Sequence, residues 1–512
     1  MKLSVRAALA GLASAGVALG IAEVVAVFTG PLSSPLLAVG GVVVDNVPAG
    51  VKDAGIAIFG THDKTALIIG TAILLAGYAA LLGVVAVRSR VAALGGIALF
   101  AAIGVVAALT RHDAGITAAL PTIVGAAAAV PVLRYLMDLA VRAEPTERAE
   151  PTERPTAYQE GGRRRFLVAV GVTVGAAAVG GFGGRLLTSR RTVTAARKAV
   201  VLPSPAQPAP AVPAGAQAEG AVSYVTTNDD FYRIDTALYP PQIDPSTWEL
   251  RVHGMVRNPI TLTWEQLLQR PMVARYVTLA CVSNEVGGDL IGNALWLGTP
   301  IKDLLDEAQP LPDADQVVQR SADGWTCGSP TAVLRDGRDA LLAIGMNGQP
   351  LPVRHGFPVR MVVPGLYGYV SACKWITEIE LTRFADFDAY WVPRGWSAQA
   401  PIKTESRIDT PRDGASRPAG QVTVAGVAWA QHRGIERVEV QVDNGPWAAA
   451  TLAPAVSSDT WVQWSYPWPA TTGEHTVRVR ATDKNGQTQT DAQAPPAPDG
   501  ATGWHSVQVT VD

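Results

Sequence analysis

Five stretches within the first 190 residues are each long and apolar enough to cross a bilayer, and this constrains how that part of the chain can fold. A spanning helix needs about 20 mostly apolar residues, and in hydrocarbon only helices or closed barrels satisfy their own backbone groups. The stretches are 3–28, 65–87, 91–109, 116–139 and 166–187. Between the first two, residues 31–60 carry Asp45, Asn46, Pro48, Lys52 and Asp53, and are expected to lie in the interface or re-enter it rather than cross. Tryptophan and most of the acidic charge fall beyond residue 220. The expectation is an α-helical transmembrane bundle, with four spans over 1–140 and a fifth over 166–187, followed by a soluble part.

Basic residues near span ends set the orientation. Lys2 and Arg6 place the N-terminus in the cytoplasm, Arg88 and Arg90 place the turn after the second span there, and Arg134, Arg142 and residues 163–165 do the same for the linker 141–165. Five spans then leave the soluble part extracytoplasmic. The linker holds the tandem EPTERAEPTERPT (144–156), whose alternating charge and proline cannot pack a core and predict an exposed tether. Paired arginines before Phe166 and Leu167 read as a twin-arginine export signal in an internal position, or as ordinary positive-inside flanking. Residues 188–222, with PSPAQPAPAVP at 203–213, are expected to be a semi-rigid spacer.

Composition narrows the soluble part. The 512 residues exceed one core, since domains hold about 100–200 residues. A net charge of −2, with 17% charged residues, leaves no electrostatic footprint for nucleic acid. Cys281, Cys327 and Cys373 are too few for a disulfide framework, and an odd number leaves at least one thiol for chemistry. No CxxC or CxxCH occurs, which argues against a zinc ribbon, a cysteine-ligated iron–sulfur cluster and covalent haem. His62 and His112 are expected at the outer membrane face, so bis-histidine haem is not expected among the helices.

From Ser223 the texture is short strands, turns and small helices, among them TWEQLLQ (263–269), with a threonine cap before its apolar face. Over 418–512 the runs QVTVAGVAWA, IERVEVQVDN, TWVQWSYPW, EHTVRVRATDKNG and WHSVQVTVD alternate between turn signals, as in a β-sandwich. Its tryptophans Trp429, Trp447, Trp461, Trp464 and Trp468 are expected in a core or interface.

Chemistry gathers in two segments. TLACVSNEVGGDLIGNALWLGTPIKDLL sets Cys281 in a loop rich in glycine and asparagine, and LPVRHGFPVRMVVPGLYGYVSACKWITEIEL (351–381) brings His355, Arg360 and Lys374. A thiolate beside a cationic cradle suits a metal held by soft sulfur next to a phosphorylated organic cofactor. These segments, with DPSTWELRVHG (244–254), resemble the sulfite oxidase family of molybdopterin enzymes.

The resemblance implies an α+β molybdopterin domain over 223–405, an immunoglobulin-like domain after it that often serves dimerisation, and a molybdenum–molybdopterin cofactor. In that family the metal is held by a pterin dithiolene, oxo ligands and one cysteine, here Cys281. His355, Arg360 and Lys374 would contact the pterin and its terminal phosphate, and Asn228 would approach the pterin. Arg233, in TNDDFYRID, and Trp296 would shape the substrate side, and Cys327 stands at the position of the family's active-site tyrosine. The plainer alternatives are a buried structural cysteine at 281, a surface cation at Arg360, a capping His355 and a core Trp296.

Departures from the family pattern bear on substrate. Glu285 and Val286 stand where sulfite-oxidising members place an arginine pair, and the late arginine near WSYPW is absent, so Arg233 alone remains. A dianion loses most of its positive pocket, which favours an S-oxide, an N-oxide or another small oxyanion over sulfite. Cys327 either lines the pocket or pairs with Cys373. The expected function is a membrane-anchored, extracytoplasmic oxidoreductase performing two-electron oxygen-atom transfer on a small molecule. Electrons would pass through a separate cytochrome- or quinone-linked partner, with a homodimer through the C-terminal domain as a further option. The alternatives are a non-catalytic membrane-tethered binding module that retains the fold, and a cysteine hydrolase using Cys281 with His253 or His355 as base.

Overall fold

The computed structural model describes residues 2–30, 33–47, 63–111, 114–142, 157–190 and 193–512. The chain divides into two units, Met1–Thr194 with Thr236–Pro240, and Ala195–Asp235 with Pro241–Asp512.

In the first unit the helices are Leu3–Thr29, Pro35–Asn46, Asp63–Arg88, Arg90–Leu109, Leu120–Arg142 and Ala157–Arg190. Among the described residues five helices are long and apolar enough to cross a membrane, one for each expected stretch. The fourth opens with a 3-10 turn, Ile116–Ala119. The fifth extends well beyond 166–187 and takes the arginines at 163–165 into the helix itself, since Ala, Gln, Glu and Arg are good helix formers. Pro35–Asn46 has 12 residues, a rise of about 18 Å against a hydrocarbon core of about 30 Å, too short to span. Residues 31–32 and 48–60 lie outside the described residues, as do the charged tandem, His62 and His112.

Small residues let these helices meet backbone to backbone. A Cβ added to Gly11 would fall 2.1 Å from the Ala79 carbonyl oxygen, and one on Gly83 would fall 2.0 Å from that of Ala7. Arg6 is not the exposed flanking charge its position suggests. It is buried, with Nε and Nη1 unpartnered among the described residues, because three other helices pack around Leu3–Thr29.

The second unit holds an α+β domain and a sandwich. One α+β sheet runs Ile260–Thr263, Glu249–Gly254, Ile376–Thr382, Gln316–Ser321, Thr326–Pro330. The other runs Val273–Ala280, Ile291–Pro300, Leu341–Met346, Gln349–Pro350, with Arg360–Val362 also paired to Leu341–Met346. Period-two patterning is plain in Glu249–Gly254, where Leu250 and Val252 point inward. TWEQLLQ forms the helix Trp264–Leu268, and Thr263 with Gln266 completes a reciprocal capping box.

The five C-terminal runs all form strands. One sheet is Glu405–Thr410, Gly420–Trp429, Val462–Ala470, Thr451–Leu452, and the other is Ala415–Arg417, His505–Val511, Gly473–Asp483, Ile435–Val442, Ala448–Ala449. They share a core that includes Val424, Val438, Trp464, Val479 and Val509. The sandwich therefore starts before 418: Glu405–Thr410 pairs antiparallel with Gly420–Trp429. Its buried positions include Glu405, Ser406 and Arg407, so no hydrophobic alternation marks it in the sequence.

Trp429 and Trp461 belong to the α+β core rather than to the sandwich's own. Thr278, in the strand leading to Cys281, is tied to the sandwich three ways. Its N–H donates to Asp459 O (3.0 Å), its carbonyl accepts from Gln431 Nε2 (2.9 Å), and its hydroxyl oxygen accepts from the Trp461 N–H (2.8 Å). Residues 203–213 are likewise no free spacer. Ala206 N–H donates to Met272 O at 2.8 Å and Ala274 N–H to Gln207 O at 2.9 Å, so the segment lies against the start of Val273–Ala280. Proline donates no N–H and keeps such pairing short, which is why the segment reads as a linker.

Candidate active site

The strand Val273–Ala280 delivers Cys281 into a loop that closes on itself. Cys281 N–H donates to Leu290 O (2.9 Å), and Leu290 N–H donates to Asn284 Oδ1 (2.8 Å). Asn284 Nδ2 is buried and has no partner among the described residues. Cys281 is buried, and that burial raises its thiol pKa, opposed by hydrogen bonds from Ser283 and by the Lys374 charge.

His355 ends the 3-10 turn Val353–His355, and Gly356 reverses the chain with φ +111°, where a Cβ would fall 2.9 Å from that of Arg360. Burial above all, then the Arg360 charge, pushes the His355 pKa down to about 3. The ring is therefore neutral and donates from Nε2 to Asn228 O at 3.0 Å. Arg360 is buried. Its Nε donates to Met361 O and its Nη1 to His355 O, both at 3.2 Å, and its guanidinium lies 5.0 Å from the Trp296 ring centre. Among the described residues no carboxylate pairs with it, and burial lowers its pKa to about 10.

Lys374 is largely rather than fully buried, and it is paired: Nζ reaches Asp235 Oδ2 at 2.6 Å. Burial pushes its pKa down to about 8, with Asp235 opposing. Arg233, more exposed, reaches the same carboxylate oxygen at 3.0 Å.

The structure thus brings Cys281, Arg360, Lys374 and His355 into one electrostatic neighbourhood and gives other expected residues different work. Asn228 spends its amide on Asn347 (2.9 Å) and Met346 O (3.4 Å), and orients His355 through its own carbonyl. Trp296 is fully buried, donating Nε1 to Val277 O, and forms the floor under Arg360 rather than an open pocket wall. Cys327 is fully buried, with its thiol toward Gln319 Oε1 at 3.3 Å. It and Cys373 are free thiols. Neither can line an open pocket, because both lie inside the sheet core.

Sequence reasoning passed over Tyr232 and Asp235, both inside TNDDFYRID. Tyr232 is partly buried. Burial raises its pKa, the Cys281 sulfur adds to that rise, and the Arg360 charge opposes it, so the phenol is within electrostatic reach of both thiol and guanidinium. Its adjacency to Arg233 was the available signal.

A fitting occupant must neutralise a buried guanidinium, use an orphaned amide N–H and accept a thiolate. An anionic, phosphate-bearing cofactor that carries its own metal ligands does this. Among the described residues no three His, Cys, Asp or Glu side chains gather to hold a metal by themselves. The model of an oxidoreductase molybdopterin-binding domain matches residues 237–391, and that of a bacterial Ig domain matches 405–479. The fold and site define a molybdopterin-binding oxidoreductase.

Sulfite oxidase of Gallus gallus is 28% identical over 326 residues, covering 54% of this chain and 70% of that protein. The mitochondrial sulfite oxidase of Homo sapiens is 29% identical over 322 residues, 53% of this chain and 58% of that one, so the chain spans little more than half of the human protein. The uncharacterised oxidoreductase YuiH of Bacillus subtilis is 32% identical over 174 residues, 34% of this chain and 82% of that protein. This chain belongs to the sulfite oxidase family of molybdopterin-dependent oxidoreductases, and its cofactor is molybdenum–molybdopterin.

Proposed function

We propose that the chain is a membrane-anchored, extracytoplasmic enzyme that transfers an oxygen atom to or from a small substrate of low charge, such as an S-oxide or N-oxide, with sulfite the less favoured option. The observation that carries this is Arg360, a buried cation with no carboxylate partner among the described residues, in the same electrostatic neighbourhood as Cys281. A buried charge without a partner is strongly unfavourable, and an anionic cofactor supplies what is missing. When bound, the cofactor supplies a two-electron centre for oxygen-atom exchange.

Cys281 would be the protein's ligand to the metal. Arg360 would grip the terminal phosphate, with Asn284 Nδ2 as a further donor. Neutral His355 would hold its turn through Asn228 and keep Nδ1 unprotonated toward the pterin. Lys374 and Arg233, two cations on one carboxylate, retain a single net positive charge. That is little attraction for a dianion and enough to polarise one oxygen, and the Tyr232 hydroxyl would donate to the same oxygen. Reduction of an S-oxide consumes two electrons and two protons and releases one water. The electrons would come singly from a separate cytochrome- or quinone-linked protein. The basic residues flanking the helices support a cytoplasmic N-terminus, and the arginines at 163–165 support twin-arginine export. A homodimer through the sandwich is part of this proposal.

The test is molybdenum and pterin content of the full-length, detergent-purified chain and of Cys281→Ser, both from cells that make molybdopterin. Near-stoichiometric metal in the wild type and its loss from folded mutant protein is the expected result. Well-folded wild type lacking both metal and pterin would overturn the assignment.

A further inference from the structure

The turn at 285–288, just beyond Cys281, is held from outside the α+β domain. Arg407, in the sandwich strand Glu405–Thr410, donates from Nη1 to Gly288 O at 2.7 Å. Its Nε is fixed by Asp409 Oδ1 at 2.7 Å, with only 9% and 7% of the two side chains exposed. Between them, Ile408 N–H donates to His505 Nδ1 at 3.0 Å, which leaves the ring proton on Nε2. The imidazole fills the space over Gly287, where an added Cβ would fall 2.2 Å from the His505 Cδ2. Gly287 has φ +79°, so the turn is shaped for that contact. Inside the loop, Gly288 N–H donates to Glu285 O (2.8 Å), and Asn284 ties the turn back to the base at Leu290, the partner of Cys281. A buried ion pair contributes little net stability by itself. What distinguishes this one is its reach into the turn.

We infer that the sandwich positions the loop carrying Cys281, with Arg407 and His505 as the positioning residues. This rests on Cys281 being the metal ligand and gives the C-terminal domain a share in the site.

The test uses full-length wild type, Arg407→Met, Arg407→Lys and Gly287→Ala, each prepared with cofactor and from cells unable to make molybdopterin. In the cofactor-free chains, amide exchange over 282–290 and alkylation of Cys281 by iodoacetamide are measured. Cys327 and Cys373 are fully buried and serve as internal controls. Losing the charged hydrogen bond in Arg407→Met, or the close His505 packing over the turn in Gly287→Ala, should accelerate both rates at least about tenfold. Exchange within Val462–Ala470 should stay unchanged, and Arg407→Lys should restore part of the protection. Molybdenum content of the cofactor-grown variants should fall in parallel. Rates within about twofold of wild type in folded Arg407→Met and Gly287→Ala would overturn the inference. Should Arg407→Met fail to fold, Gly287→Ala decides, because it leaves the Arg407–Asp409 pair intact. If Cys281→Ser keeps its molybdenum while loop exchange still rises in Arg407→Met, the ligand assignment fails and the clamp stands.

Discussion

The two cationic regions of the site are built on opposite principles. On one side Arg360 is buried against Trp296 with only backbone carbonyls to bond and no carboxylate among the described residues. On the other, Lys374 and Arg233 converge on Asp235. The first region is incomplete without an anion, whereas the second is largely satisfied by the protein. Burial of a cation therefore marks a ligand site only when its counter-charge is missing. Lys374 and Arg360 look equivalent as letters in the motif and differ in what they still lack.

The comparison can be broken at four points. Asp235→Asn strips the carboxylate from the largely buried Lys374 and should destabilise the cofactor-free chain by about 3–5 kcal/mol in urea unfolding. An effect under 1 kcal/mol, far below that range, would mean the second region does not depend on its carboxylate. Arg360→Met should act in the opposite direction. Removing an unneutralised buried charge should stabilise the cofactor-free chain by about 1–4 kcal/mol while pterin retention falls, and a large loss of cofactor-free stability would reveal a hidden counter-charge.

His355 gives a pH test. Folded His355 resists protonation until about 3, while the unfolded residue titrates near its ordinary 6.5. Over that window the unfolded state binds more protons, so stability is full above 6.5 and falls as pH falls toward 3. His355→Gln should flatten this slope in cofactor-free protein, and an unchanged slope would assign it to other groups. Arg233→Ala should have the smallest effect, under about 1 kcal/mol on stability, since its ion pair is partly solvated. Its consequence should instead be read in the KM for an anionic substrate.

Much of this was legible in advance where a pattern is local. Apolar runs gave the five long helices, period-two alternation gave the sandwich strands, and the ordered segment 351–381 gave the cations. What stayed hidden depends on partners distant in sequence. Nothing near Lys374 announces Asp235, which lies 139 residues away. Trp296 and Cys327 have side chains that suit a pocket, and only the packed sheets show them fully buried. Glu405–Thr410 breaks the hydrophobic code because its inward residues include Glu405, Ser406 and Arg407, with Ser406 bonded to Gln489 within the sandwich and Arg407 to Gly288 of the α+β domain. Arg6 looks like a membrane flank until neighbouring helices close around it.

The bonds around Thr278 also set an order of events during synthesis. Its hydroxyl oxygen is bonded by Trp461, 183 residues later in the chain, and its carbonyl by Gln431, 153 residues later. A ribosome that has just released the Cys281 strand has made none of these partners. The strand reaches its final hydrogen bonding only after residue 461 has emerged, so a cofactor bound to the finished site enters late, into a nearly complete polypeptide.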